Sequence, residues 1–309
     1  MADVPPPAEE PPAPVFYNQL TGLVCDEELS SYRPISICVG NFDGKRQEGL
    51  SLADVLVEAP INGAATAMWA IYGAPSAVSK VSSVCSVRDY MLPIACSFGA
   101  ITAYLGARDG ASDTLWRDSL DGAQSDAADA FLNDGSILST SGSALLSVAD
   151  ALGYQTKTTV SLPYRLAEPN KPLPAVGNRI SSVSFSFSDG NAVRFSYDET
   201  TRLYSRFQNG ESHVDDANGE QLSFHNLLLL FHNVNTYHSP EGTSFSLDAT
   251  AGGEGFCYTG GGMMRIVWRA DTDGNVSFYD TEGEPLCLNR GKTYVGMLRI
   301  TDSATVIAK

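Results

Sequence analysis

The second half of this sequence consists of short segments in which polar and apolar residues alternate. Between residues 180 and 309, runs such as VSFSFS, VRFSY and MMRIVW are separated by turn signals such as Asn209-Gly210. Alternation with a period of two gives each strand one apolar face, and closely spaced strands of this kind pack as antiparallel sandwiches or barrels. We therefore predict a mostly antiparallel β domain, sandwich or barrel-like, over 180–309.

Residues 32–162 combine strand and helix signals. The runs ADVLVEAPI and TAMWAIY flank Asn62-Gly63, which predicts a β-hairpin because both turn residues tolerate positive φ. A capping serine predicts a helix over 125–132, and apolar periodicity that ends at a glycine predicts one over 141–153. Residues 88–100 are long enough for a helix, but Pro93 is tolerable only in its first turn. The expected fold class is α+β, with an N-terminal mixed α/β domain followed by the β domain.

Two proline-rich stretches divide the chain. Residues 2–14 have a composition that favours extended polyproline II, so we predict a tether and lead-in over 1–31; an ordinary tail is the alternative. Residues 163–179 contain four prolines and predict a linker. The expected domains are therefore 32–162 and 180–309.

Charge and apolar content limit the classes of partner. Asp and Glu outnumber Lys and Arg by 36 to 20, for a net charge of -16. Affinity for nucleic acid comes mainly from cations that neutralise phosphates, so we expect no nucleic-acid partner. The sequence also lacks the run of about 18 apolar residues that spans a bilayer.

Neither the cysteines nor the histidines form a recognisable metal motif. The six cysteines lack C-x-x-C spacing, and buried free thiols are the simplest interpretation, although an even number leaves disulfides possible. His225 and His232 are seven residues apart, on opposite faces of one predicted strand. The stretch 271–282 resembles a calcium loop but has Val276 where a glycine is required, so a hairpin turn is predicted. We expect no metal and no cofactor.

Glu58 is a lone carboxylate inside an apolar run. A two-residue turn at Asn62-Gly63 would pair it with Ala67. A partly buried carboxylate without a cation should either reach solvent or have a raised pKa, as a general acid does. The alternative is that it accepts hydrogen bonds from a neighbouring loop or pairs with Arg88. His213 and Asp215 share a face of the ESHVDD stretch and could hold a ligand or a proton, or could simply order a loop.

The order of several motifs resembles the YerB-like bacterial lipoprotein family. RPISICVGN and STSGSALLSVADALGY carry this similarity in the first half, and GGGMMRIVW and GEPLCLNRGKTYVGML carry it in the second. The resemblance, from about Tyr32 to Leu298, implies an extracytoplasmic, membrane-anchored lipoprotein of Gram-positive bacteria with an undefined activity. It also implies that the membrane is reached only through an N-terminal lipid anchor absent from this chain.

The family pattern has arginine where this chain has Ala67 and Cys85, and histidine where it has Tyr104. The resemblance therefore implies that relatives pair the acid at position 58 with a cation across the hairpin. In this chain that partner would be missing.

Two functional hypotheses follow. The first is a module that binds a glycan, a peptide or an envelope protein in an interdomain or N-domain cleft. The second is a cell-envelope hydrolase or transferase that uses Glu58 or Asp89 with Arg88, and His213 with Asp215, for acid–base chemistry. Whether the protein is an enzyme stays open. The candidate ligand-binding residues are Glu58, Arg88, Asp89, Tyr104, His213, Asp215 and Trp268, with Trp69 and Tyr90 as further aromatic contacts.

Overall fold

A computed structural model describes residues 14–42, 46–108, 118–133, 137–239 and 242–309. The strands of the first half are β1 (Phe16–Tyr17), β2 (Val24–Cys25), β3 (Ile35–Asn41), β4 (Val55–Pro60), β5 (Thr66–Tyr72), β6 (Val81–Ser82), β7 (Val87–Arg88), β8 (Ile101–Tyr104), β9 (Ala107–Arg108), β10 (Ser119–Asp121), β11 (Phe131–Asn133) and β12 (Leu138–Thr140). The α-helices are α1 (Glu27–Ser30), α2 (Leu92–Cys96) and α3 (Gly142–Ala151).

The second half of the described chain has strands as its regular elements, apart from a 3-10 helix at Ile300–Thr305. Its strands are β13 (Arg165–Leu166), β14 (Ser182–Ser188), β15 (Asn191–Asp198), β16 (Leu203–Gln208), β17 (Glu211–Ser212), β18 (Ser223–Phe224), β19 (Asn226–His232), β20 (Val234–Ser239), β21 (Gly242–Leu247), β22 (Gly253–Thr259), β23 (Gly262–Ala270), β24 (Val276–Asp280), β25 (Cys287–Leu288), β26 (Thr293–Arg299) and β27 (Ile307–Ala308). Over the described ranges, none of the helices is both apolar enough and long enough to cross a bilayer.

A large sheet runs through both halves of the chain. Its strand order is β10-β8-β3-β5-β4-β26-β19-β22-β23-β24, so the first five strands come from the first half and the last five from the second. At the junction, Val55–Glu58 of β4 pairs in parallel with Thr293–Gly296 of β26. The two halves are therefore joined by backbone hydrogen bonds within one sheet.

A second sheet, of order β17-β16-β15-β14-β27, covers one face of the large sheet. Its inward side chains, including Phe185 and Phe195, lie in one apolar cluster with Leu56 and Tyr294 of the large sheet. The Phe195 and Tyr294 rings are 4.9 Å apart between centroids. The opposite face of the large sheet is covered by α2 and its flanking loops. These layers confirm the predicted α+β class and the sandwich character of the second half.

Two of the predicted helices are present, and the third is not. The helix predicted at 141–153 is α3, and the Ser141 hydroxyl accepts a hydrogen bond from the Ala144 N–H at 3.2 Å. The helix predicted at 88–100 is shorter, with Pro93 in the first turn of α2. The helix predicted at 125–132 is wrong: a short 3-10 turn there leads into β11, which pairs with β12. Strand pairing outweighs the weak helical periodicity of this alanine-rich stretch.

The hairpin predicted between the two apolar runs is present, but its register differs by one residue. The Ile61 N–H donates to the Ala65 carbonyl at 3.0 Å, so the loop has three residues instead of two. Glu58 consequently pairs with Met68 and not with Ala67.

Candidate functional site

Glu58 is completely buried between the two sheets, and all of its acceptor positions are used. Oε1 accepts from the Asn41 side-chain amide at 3.0 Å and from the Thr66 hydroxyl at 2.6 Å. Oε2 accepts from Arg206 Nη2 at 2.8 Å and from the Tyr294 hydroxyl at 2.7 Å. Four donors saturate a carboxylate, so Glu58 has no free lone pair to offer a substrate.

The prediction that Glu58 lacks a cation in this chain is wrong. Arg206, on β16 of the second sheet, forms the ion pair, and both side chains are 0% exposed. The cation is therefore neither Arg88 nor a residue of the hairpin, and Ala67 belongs to the apolar cluster on the opposite face of the sheet. The alternation in LYSRFQ could have predicted this burial. Arg206 lies two residues after the aromatic Tyr204, so both side chains point to the same, buried face of the strand.

His213 extends this buried network. Arg206 Nη1 donates to Gln208 Oε1 at 2.9 Å and also to His213 Nδ1, and His213 Nε2 lies 2.7 Å from Gln47 Oε1. Because guanidinium can only donate, the neutral imidazole accepts at Nδ1 and donates from Nε2. Burial, and then the charge of Arg206, hold the pKa of His213 well below its ordinary 6.5. At neutral pH this histidine is therefore the uncharged imidazole and not an imidazolium acid, and both of its ring nitrogens are engaged in hydrogen bonds.

Asp215 orders the loop that precedes β4. Its carboxylate accepts from the Gly49 N–H at 3.0 Å, from the Ser51 N–H at 2.8 Å and hydroxyl at 2.7 Å, and from the Ala217 N–H at 2.9 Å. Burial alone would raise the pKa of Asp215, but these hydrogen bonds outweigh it and the pKa is lowered. Asp215 therefore fastens a loop of the first half to the second half.

Replacing Asp215 by alanine should lower the free energy of unfolding by on the order of 3 kcal/mol at pH 7, because several buried donors lose a charged acceptor. Equilibrium urea unfolding measures this loss. Since its pKa is lowered in the fold, the Asp215 contribution is complete above the ordinary carboxyl range and disappears as the pH falls through the folded pKa. Asp198→Ala is the control, because Asp198 caps an exposed turn within one hairpin. An equal loss in both variants would contradict the anchoring role.

The other predicted residues lie on the opposite face of the large sheet from Glu58. Tyr104 and Trp268 are buried there in one apolar cluster. Asp89 begins a 3-10 turn, and burial raises its pKa. Arg88 lies in β7, which pairs in parallel with β9. The sheet thus separates this group from Glu58, and the candidate residues do not meet in a single cavity.

In the described ranges, no group of three or more His, Cys, Asp or Glu residues is placed to hold a metal ion. Asp271, the first position of the calcium-like stretch, accepts backbone N–H groups of Asp273 and Asn275 at 2.9 and 2.8 Å. These bonds close the turn between β23 and β24, as expected for a hairpin.

A cleft that the sequence analysis missed lies where the lead-in, the linker and the second half meet. It has a volume of about 560 Å³. We call it the lead-in cleft, and its lining consists of Val15, Tyr17, residues 22–24, residues 167–172, Thr201, Arg202, His225, Gly260, Asn289 and Arg290. Three of its apolar side chains remain exposed to solvent: Val15 by 56%, Leu23 by 42% and Val24 by 71%.

Cations surround this apolar surface. The Arg290 guanidinium lies 4.6 Å from the Tyr17 ring centroid, and its Nε donates to the Ala167 carbonyl at 2.8 Å. Arg202 Nη2 donates to a linker carbonyl at 3.3 Å. Burial, followed by nearby cations including Arg202, lowers the pKa of His225. The lining holds three basic side chains, Lys171, Arg202 and Arg290, against the single carboxylate of Glu168, so it is locally cationic in a protein of net charge -16.

Comparisons with known proteins identify the family. Residues 20–151 match the model described as protein of unknown function (DUF3048) N-terminal domain, and residues 183–295 match the DUF3048 C-terminal domain. The chain therefore belongs to the DUF3048 family, and the YerB-like resemblance is confirmed. It is 24% identical over 307 residues to "Putative lipoprotein YerB" of Bacillus subtilis strain 168, covering 93% of this chain and 87% of that protein.

A solved structure has the same fold. The crystal structure of the YerB protein from Bacillus subtilis superposes with a TM-score of 0.79 at 22% identity. The match covers 95% of this chain and 99% of the other. It supports the arrangement of sheets described above.

Proposed function

We propose that this protein is an extracytoplasmic, membrane-anchored module that binds an extended peptide segment of an envelope protein in the lead-in cleft. The observation that carries the proposal is the exposed apolar rim of Leu23 and Val24 beside the cations Arg202 and Arg290. Exposed apolar surface beside a preformed cavity is typical of a binding site. The printed lipoprotein name of the Bacillus relative supports the location.

The lining favours a peptide over a glycan. Sugars are usually held by open aromatic faces and many polar groups, whereas the aromatic residue of this cleft, Tyr17, already has the Arg290 guanidinium over its ring. An apolar side chain of a peptide would fill the cleft, and a neighbouring acidic residue or a C-terminal carboxylate would face Arg202. The expected ligand is therefore a short peptide segment that combines an apolar and an acidic residue.

The position of the cleft also fits a tethered protein. Val15, one of the first described residues, lines it directly after the proline-rich stretch. An anchor attached through that stretch would keep the cleft within reach of the membrane surface, where envelope proteins are present. The hydrolase hypothesis is less well supported, because its candidate residues lie on two faces of the large sheet.

Replacing Val24 by glutamate should weaken peptide binding at least about tenfold, because a carboxylate would enter the apolar rim and repel an acidic ligand. The probes are synthetic decapeptides that vary one apolar and one acidic position, with affinity measured by fluorescence anisotropy. Leu132→Glu is the matched control, since Leu132 is 70% exposed but lies outside the cleft. Affinity should also fall with added salt.

Two outcomes would refute the proposal. One is equal peptide affinity of the Val24 and Leu132 variants. The other is the absence of peptide binding together with a rise in melting temperature on addition of cell-wall saccharides, which would identify a glycan-binding module.

A further inference from the structure

Two cysteines lie opposite each other on neighbouring antiparallel segments. Cys38 belongs to the central strand β3, and Cys85 lies between β6 and β7. The Cys85 N–H donates to the Cys38 carbonyl at 2.9 Å, and the adjacent pair Val39 and Val84 forms an antiparallel bridge. The two sulfur atoms are 3.4 Å apart.

This arrangement meets the geometric requirement of a disulfide. Opposed residues of antiparallel segments have Cα atoms about 4.5–5.5 Å apart, within the ~4.4–6.8 Å range of bridged cysteines. Both sulfurs also lie near the Ser86 carbonyl, at 3.5 Å from Cys38 and 3.7 Å from Cys85. Rotation about the side-chain bonds can therefore bring the sulfurs together without separating the two segments.

The two thiols differ in access. Cys38 is 0% exposed, whereas Cys85 is only partly buried. An oxidant in solution therefore reaches Cys85 first. Burial and the neighbouring Cys85 raise the pKa of Cys38 well above its ordinary value, so its reaction should be the slower step and should accelerate with rising pH.

We propose that Cys38 and Cys85 form a reversible disulfide when the protein meets a small-molecule disulfide oxidant. The Cys85 thiolate attacks one sulfur of oxidised glutathione, forming a mixed disulfide and releasing one glutathione thiolate. Cys38, after losing its proton, attacks the Cys85 sulfur and releases the second glutathione. The two cysteines lose two electrons and two protons, and the oxidant is reduced to two thiols.

The bridge would join positions separated by 47 residues, a loop that contains the Glu58 hairpin. Closing such a loop restricts the unfolded chain, so the oxidised protein should melt several degrees higher than the reduced protein. Oxidising compartments outside the cytoplasm are where such bridges persist.

The test uses the full chain with oxidised glutathione over a range of pH, against a sample kept in dithiothreitol. We expect the accessible thiol count in denaturant to fall from six to four, and peptide mapping to link Cys38 to Cys85. Cys287→Ser should still lose two thiols, whereas Cys38→Ser should not. A count that stays at six, a persistent glutathione adduct on Cys85, or a link between other cysteines would overturn the proposal. Mapping of the wild-type chain decides the question even if a variant fails to fold.

Discussion

Replacement of Arg206 by methionine should destabilise the protein by about 3–5 kcal/mol, because it leaves the buried Glu58 carboxylate without its cation. The methionine fills much of the same volume as the arginine. The loss in free energy of unfolding therefore comes mainly from the missing charge and hydrogen bonds, and less from a cavity. Urea unfolding at pH 7 measures the change. Arg194→Met is the matched control: Arg194 lies on the adjacent strand β15 with its guanidinium 3.8 Å from the Phe207 ring centroid, and its loss should cost less than about 1 kcal/mol.

A double-mutant cycle separates the ion pair from the rest of the network. Glu58→Gln keeps the shape of the side chain and removes its charge, so the pair Glu58→Gln with Arg206→Met should cost clearly less than the sum of the single changes. Additive losses would mean that the two charges do not interact. A cost below about 1 kcal/mol for Arg206→Met alone would contradict the buried pair itself.

Acidification from pH 7 towards pH 4 should destabilise the protein, with a large share of the effect coming from His232. This residue is 1% exposed, its ring lies 4.5 Å from that of Trp268, and its Nδ1–H donates to the Asp248 carbonyl at 3.0 Å. Its Nε2 is buried, and none of the described residues forms a hydrogen bond with it. Burial lowers the pKa of His232 to about 4, because a proton on Nε2 would be both desolvated and unpaired.

The sign of the effect follows from proton uptake. Below its ordinary pKa of about 6.5 the unfolded histidine binds a proton, while the folded one stays neutral down to about pH 4. The free energy of unfolding should therefore fall by up to about 1.4 kcal/mol per pH unit in that interval. His213, whose pKa is also lowered, adds to this loss.

The contribution of His232 can be measured by urea unfolding of the wild type and of His232→Phe at several pH values between 7.5 and 4.5. The difference between the two proteins isolates it, because the other groups titrate alike in both. The variant should show a shallower decline, whatever its stability at pH 7. Parallel curves would contradict the assignment. His213→Gln measured in the same way reports the second histidine.

Local sequence patterns predict most of the strands and the face of each strand that is buried. The alternation in VSFSFS matches the buried and half-buried positions of β14, and the serine cap and terminal glycine predict α3. These signals succeed because strand phase and helix ends depend on near neighbours. The length of the hairpin loop was predicted wrongly even though it is also a local property. The reason is that a two-residue and a three-residue loop can contain the same turn residues.

The candidate site is harder to predict because its contacts join distant parts of the chain. Glu58 and Arg206 are 148 residues apart, and only the packing of one sheet on another brings them together. The lead-in cleft combines the lead-in, the linker and four connecting segments of the second half. A single sequence gives the phase of each strand, but the relative position of two sheets depends on how their apolar faces pack.

The junction between β4 and β26 affects how this chain reaches its native state. Val55–Glu58 finds its parallel partner, Thr293–Gly296, only close to the C-terminus. A chain made or exported from its N-terminus therefore carries an open sheet edge until nearly all of it has emerged, and such edges invite aggregation. Pairing over so long a separation also slows folding. With this topology, the nascent first half therefore needs protection from aggregation. Chaperones can provide it, and so can rapid delivery of the remaining residues.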